Sequence, residues 1–190
     1  MAIAYLNPAG YTANTNWDST DVSYLDQGQT SHQWQTTANN ANLILNLDDF
    51  DYAGLGASSI TSVQVILVGN YDARSGAWTA NTEITNASGT AYYTENLTVP
   101  AGRTSSTLSG TVRTTSDGSA AWTDSNLDGM KIRVLSLNCT DKGIMIQFYI
   151  KVTYTESTGY GHDVSGVGST NIDSINTVAT ANIAEVIGVD

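Results

Sequence analysis

Asp124-x-Asn126-x-Asp128-Gly129 is the spacing in this chain that comes nearest to a working site. It matches the first half of a calcium loop, in which oxygens at alternate positions converge on the ion and a glycine permits the turn. The position where such a loop needs a bidentate Glu is occupied by Leu135, inside a predicted strand. The stretch is therefore read as a turn, with Asp124, Asn126 and Asp128 kept as the candidate metal set and no cofactor expected. His32 and His162 are the two histidines, and Ser31-His32 and His162-Asp163 offer residue types found in nucleophilic triads. No Gly-x-Ser-x-Gly elbow accompanies them. A carboxylate pair for glycoside cleavage would have to come from 18 acids, none of which is singled out by position. Asp48, Asp49 and Asp51 read as a solvated turn at a strand end. No catalytic residues are expected.

Trp17, Trp34, Trp78 and Trp122, with ten tyrosines, supply rings that can stack on the apolar faces of sugars. Tyr71, Trp78, Tyr92 and Tyr93 are the candidate glycan-binding aromatics. The same residue types are routine in strands and interfaces, so content alone does not decide between the two roles.

The elements that must position these groups are strands. In the run Ile144–Thr155, residues Ile144, Ile146, Phe148, Ile150, Val152 and Tyr154 alternate with more polar ones. Such alternation marks a strand buried on one side, and that apolar face requires a second sheet packed over it. Lys131–Asn138 alternates in the same way. Ile60–Gly69 places Val63, Val65 and Leu67 on one face and Ile66 and Val68 on the other. Leu43–Leu47, Trp78–Thr85, Ala91–Val99 and Ser106–Thr114 complete seven or eight strands punctuated by glycines. Residues 1–40 read as polar and strand-poor. Asp124–Gly129 is expected to form one helical turn capped by Thr123 or Asp124.

Composition agrees with an all-β domain. Only 13% of residues are charged, about half the usual share of ~25%, and Thr, Ser, Asn and Gly carry the polarity. The net charge of −11 disfavours a phosphate backbone as partner. No run approaches the roughly 18 apolar residues of a membrane helix. Cys139 is the only cysteine, so neither an intrachain disulfide nor a cysteine-zinc cluster is available. The N-terminus reads as a start made in the cytosol, lacking the basic and longer apolar stretches of a signal peptide.

The expected organisation is a β-sandwich over 1–157, followed at 158–190 by a Gly-rich linker and a docking arm. In the arm, Asn171-Ile172-x-x-Ile175-x-x-Val178 recurs as Asn182-Ile183-x-x-Val186-x-x-Val189. As a helix or an extended three-per-turn strand, this repeat leaves an apolar stripe that seeks a partner surface.

Several of these motifs fall in an order that resembles jelly-roll structural proteins of tailed bacteriophages. The shared features are Trp122-Thr-Asp-Ser-Asn-Leu-Asp-Gly129, the closing Val152-Thr-Tyr-Thr155, and the Ile/Val repeat of the arm. The resemblance spans roughly residues 17–190 and implies a non-enzymatic virion protein. A capsid decoration (cement) protein comes first, bound through homo-oligomeric contacts, with a trimer the natural guess, and through Ile172, Ile175, Val178, Ile183, Val186 and Val189. Its partners would be major capsid or tail proteins, with neither nucleic acid nor membrane. The alternative is a tail or tail-fibre protein with a carbohydrate-binding, host-recognition jelly roll. The family supplies no catalytic residues.

Overall fold

The computed structural model describes residues 1–157 apart from 20, 29–32, 72–76 and 117, together with the backbone of 174–175 and 178–179. Ten of its strands build two facing sheets: β1 (Ala2–Leu6), β2 (Pro8–Thr15), β3 (Trp34–Thr36), β4 (Asn42–Leu47), β5 (Ala57–Tyr71), β6 (Ala77–Thr85), β7 (Ala91–Pro100), β8 (Gly102–Ser109), β9 (Lys131–Leu137) and β10 (Gly143–Glu156). The first sheet runs β1-β10-β5-β8, with β3 also on β10; the second runs β2-β4-β9-β6-β7. Every pairing between these strands is antiparallel. The protein is a jelly-roll-type β-sandwich.

The core lies between the layers. Val63, Val65 and Leu67 of β5 and Phe148, Ile150 and Val152 of β10 face Leu43, Leu45 and Leu47 of β4, Trp78 and Ile84 of β6, and Ile132 and Val134 of β9. A slip of one residue in any of these strands would turn its apolar set to water, which is why the register is specified so firmly.

Two expectations are corrected. The alternation in β10 does not run through from Ile144. The register against β5 shifts between Met145 and Gln147, a bulge that inserts one residue and inverts the phase. Met145 therefore joins Phe148 in the core, while Ile146 is half-buried. Opposite the bulge stands Gly69, where a Cβ would collide with the Ile144 carbonyl oxygen. Second, residues 1–40 are not strand-poor: they supply β1, β2 and β3, two of them on the flanks of their sheets. A flanking strand needs one buried face at most, so Ala, Gly, Asn and Thr suffice there and leave little apolar signal.

The helical turn is present as α1 (Asp124–Leu127). Asn126 Oδ1 accepts from the Thr123 backbone N–H at 2.9 Å, and Leu127 plugs the core. In the arm, Ser174–Ile175 pairs antiparallel with Val178–Ala179, setting Ile175 across from Val178. Ile172, Ile183, Val186 and Val189 lie outside the described residues.

Trp78 is fully buried and its Nε1 donates to the Asn70 carbonyl at 3.1 Å. Trp78→Ala is expected to cost about 3–5 kcal/mol of stability, read as a lowered urea midpoint by circular dichroism.

Candidate functional site

Two of the four aromatic residues expected to face a sugar lie in the core. Tyr71 is 2% exposed and Trp78 0%, because β5 and β6 turn these positions toward the opposite layer. The Tyr71 hydroxyl accepts from the Thr140 backbone N–H at 3.2 Å. Tyr92 and Tyr93 are half-buried against Trp122, with ring centroids at 5.4 and 6.3 Å. The Tyr93 hydroxyl donates to the Thr115 carbonyl at 2.6 Å, and the Arg113 guanidinium lies 4.4 Å from the centre of its ring. These rings pin the segment between β8 and α1 to the sandwich rather than forming an open platform.

Of the candidate metal set, Asn126 is engaged by local structure, whereas the shielded Asp124 Oδ1 has no hydrogen-bond partner. Asn126 Oδ1 serves the helix cap, and its amide donates to the Tyr92 hydroxyl at 3.3 Å. Asp49 accepts from the Gly129 N–H at 3.1 Å and Asp51 from that of Gly54 at 2.8 Å. Burial, then the charges of Asp128 and Asp51, push the Asp124 carboxyl up. Among the described residues no group of three or more His, Cys, Asp or Glu is placed to hold a metal ion. His32 and His162 lie outside the described residues. Cys139 is buried, and that burial is the main cause of a raised thiol pKa, so it is held as an inert thiol.

What the structure assembles instead is a groove on the outer face of the second sheet. Inward-facing Leu43, Leu45, Ile132 and Val134 force Asn42, Ile44 and Asn46 of β4, and Lys131 and Arg133 of β9, to the outside. Antiparallel register then lines them up in rows. Ile44, Arg133 and Glu83 form one row across β4, β9 and β6; Asn46, Lys131 and Thr85 form the next. The groove, about 350 Å³, is lined by these two rows apart from Asn46, with Thr12, Asn42 and Gly89 at its rim. Gly89 has a φ of +88°, so the turn between β6 and β7 relies on a glycine there.

Arg133 is held at both ends of its guanidinium. One terminal nitrogen donates to Glu83 Oε2 at 2.9 Å and Nε donates to Asn42 Oδ1 at 2.8 Å. Beside this network, Thr85 Oγ1 and Asn46 Oδ1 are shut off from solvent without a hydrogen-bond partner. Buried polar atoms are nearly always satisfied, and these two exceptions stand in one row, on β4 and β6 with Lys131 of β9 between them. A second cleft, also about 350 Å³, lies beside Trp17, Asp18, Gln35 and Lys142. Trp17 is 6% exposed there and presents little ring surface.

None of the groove residues was singled out by sequence. The available signal was Lys131-x-Arg133, two of only seven basic residues, on one side of a strand whose other side is apolar.

No family model matches this chain, and no curated protein does either. Among solved structures it is similar to the C-terminal CBM6 of LamC from Zobellia galactanivorans, at 14% identity over 80% of this chain and 99% of that one, TM-score 0.47. It is also similar to CBM35 of Abf62 from Cellvibrio japonicus, at 16% identity over 81% and 95%, TM-score 0.45. The enzymatically active domain of bacteriophage CBA120 tailspike protein 4 matches at 10% identity over 80% of this chain and 19% of that one, TM-score 0.42. Likeness at this level carries no argument about ligands or activity.

Burial, then the neighbouring charges of Asp48 and Asp21, raise the Asp26 carboxyl, and its shielded Oδ1 has no partner. The fold therefore holds that proton more tightly than the unfolded chain does. The penalty of ionising it is present above the folded pKa and vanishes below the unfolded value near 3.8. Asp26→Asn is expected to raise the melting temperature at neutral pH and to leave it unchanged well below that value, measured by calorimetry across pH.

Proposed function

We propose that this chain is a non-enzymatic, carbohydrate-binding β-sandwich module that recognises a surface glycan, carried on the tail or tail fibre of a phage particle. The observation that carries this reading is the groove of Asn42, Ile44, Glu83, Lys131 and Arg133. A sugar offers hydroxyls that donate and accept together, and planar amide, carboxylate and guanidinium groups fixed on rigid strands suit them. Ile44 gives the groove an apolar floor for the C–H face of a ring. Glycoside hydrolysis needs two carboxyl groups flanking the bond, normally ~5–9.5 Å apart. Among the described residues the groove holds Glu83 alone, tied to Arg133.

The virion setting is supported by the resemblance in Trp122–Gly129 and Val152–Thr155. Shell decoration, the first expectation from sequence, leans on arm residues that mostly lie outside the described ones. A concave polar groove suits a small ligand better than a flat protein contact. Repetition of weak sites on a symmetric particle would multiply their affinity.

Arg133→Ala is expected to weaken the tightest glycan found on an array by about tenfold or more, the loss of a charged hydrogen-bonding group. Thr107→Ala, on the outer face of the other sheet, is expected to bind as the wild type does. An array on which the wild-type protein binds nothing overturns the reading.

A further inference from the structure

We infer that the groove selects saccharides bearing a carboxylate, a deepening that rests on the carbohydrate reading above. The chain carries a net charge of −11 and only seven basic residues. Two of them, Lys131 and Arg133, project into one groove that holds a single carboxylate among its described residues. Glu83 is already engaged by Arg133 at 2.9 Å, so the local charge in excess is that of Lys131, which forms no ion pair among the described residues.

Lys131 stands in register between Asn46 and Thr85. Thr85 is 7% exposed, lines the same groove, and its Oγ1 is unpartnered. Lys131 and Thr85 are thus cross-strand neighbours in the groove lining. A neutral ring laid over Lys131 would strip water from the ammonium and return nothing of opposite charge. A carboxylate there accepts a charge-assisted hydrogen bond from Lys131. The row of Ile44, Arg133 and Glu83, with Asn42 beside it, binds the ring itself.

The test uses the full chain on an array of uronate- and sialate-bearing oligosaccharides, each printed beside its carboxyl methyl ester. The ester keeps every hydroxyl and removes the charge. At least one acid is expected to bind about tenfold or more above its ester. For that acid, Lys131→Met should lower affinity about tenfold toward the level of the ester, and Lys131→Arg should restore most of it. Esters bound as strongly as their acids, or a Lys131→Met variant weakened equally on both, overturn the charge selection and leave carbohydrate binding standing. Equal capture of dextran sulfate would reduce the groove to a general anion patch and also overturn it. Absence of binding to every acid, ester and neutral glycan overturns both readings.

Discussion

The ladder between β5 and β10 is the constraint on which the rest of the molecule depends. These are the two longest strands, paired from Gly143–Tyr71 to Glu156–Ala57 with three register shifts. The shifts bend the first sheet, and the bend decides which side chains enter the space between the layers. Once Met145, Phe148, Ile150, Val152, Val63, Val65 and Leu67 fill one wall, only the apolar alternates of β4, β6 and β9 can fill the other. Their polar alternates are thereby turned outward, in rows set by register. The groove is a by-product of core packing, and its side chains stand on strands rather than on loops, which favours fixed geometry.

Tryptophan does a different job from the one its abundance suggests. Trp34 donates to the Asp21 carbonyl at 2.9 Å, Trp78 to Asn70 at 3.1 Å, and Trp122 to Arg113 at 2.9 Å. Each buries a large ring and uses its one donor to hold a neighbouring segment. Trp17 packs edge-on against Trp78, with ring centroids 6.1 Å apart. A chain with few charged residues and no disulfide has limited means of fixing long connections, and these indoles supply much of it.

Much of the sandwich was legible in the sequence. The alternation in β5, β9 and the second half of β10 is strong because both sheets bury one face completely. The turn at α1 was legible too, since a cap and a buried Leu127 leave a local trace. The bulge in β10 left no such trace: it depends on what lies across the ladder, where Gly69 makes room. The flanking strands β1 and β2 were hidden because a half-exposed strand can be written in Ala, Gly and Thr. Tyr71 and Trp78 were misplaced because ring content says nothing about which face a strand position occupies. The groove was illegible for a related reason. Asn42, Glu83 and Arg133 are separated by up to 91 residues and meet only when three strands find their register.

Ala2 stands directly across from Tyr154, and Ser157 N–H donates to the Gly56 carbonyl at 2.7 Å. The sandwich thus starts and finishes on neighbouring rungs of one layer, the layer behind the groove. Both ends of the sandwich therefore lie on the side away from the groove. Because the two ends nearly touch, the body tolerates being spliced into a longer polypeptide, or cut and rejoined in a permuted order, with its ladders intact.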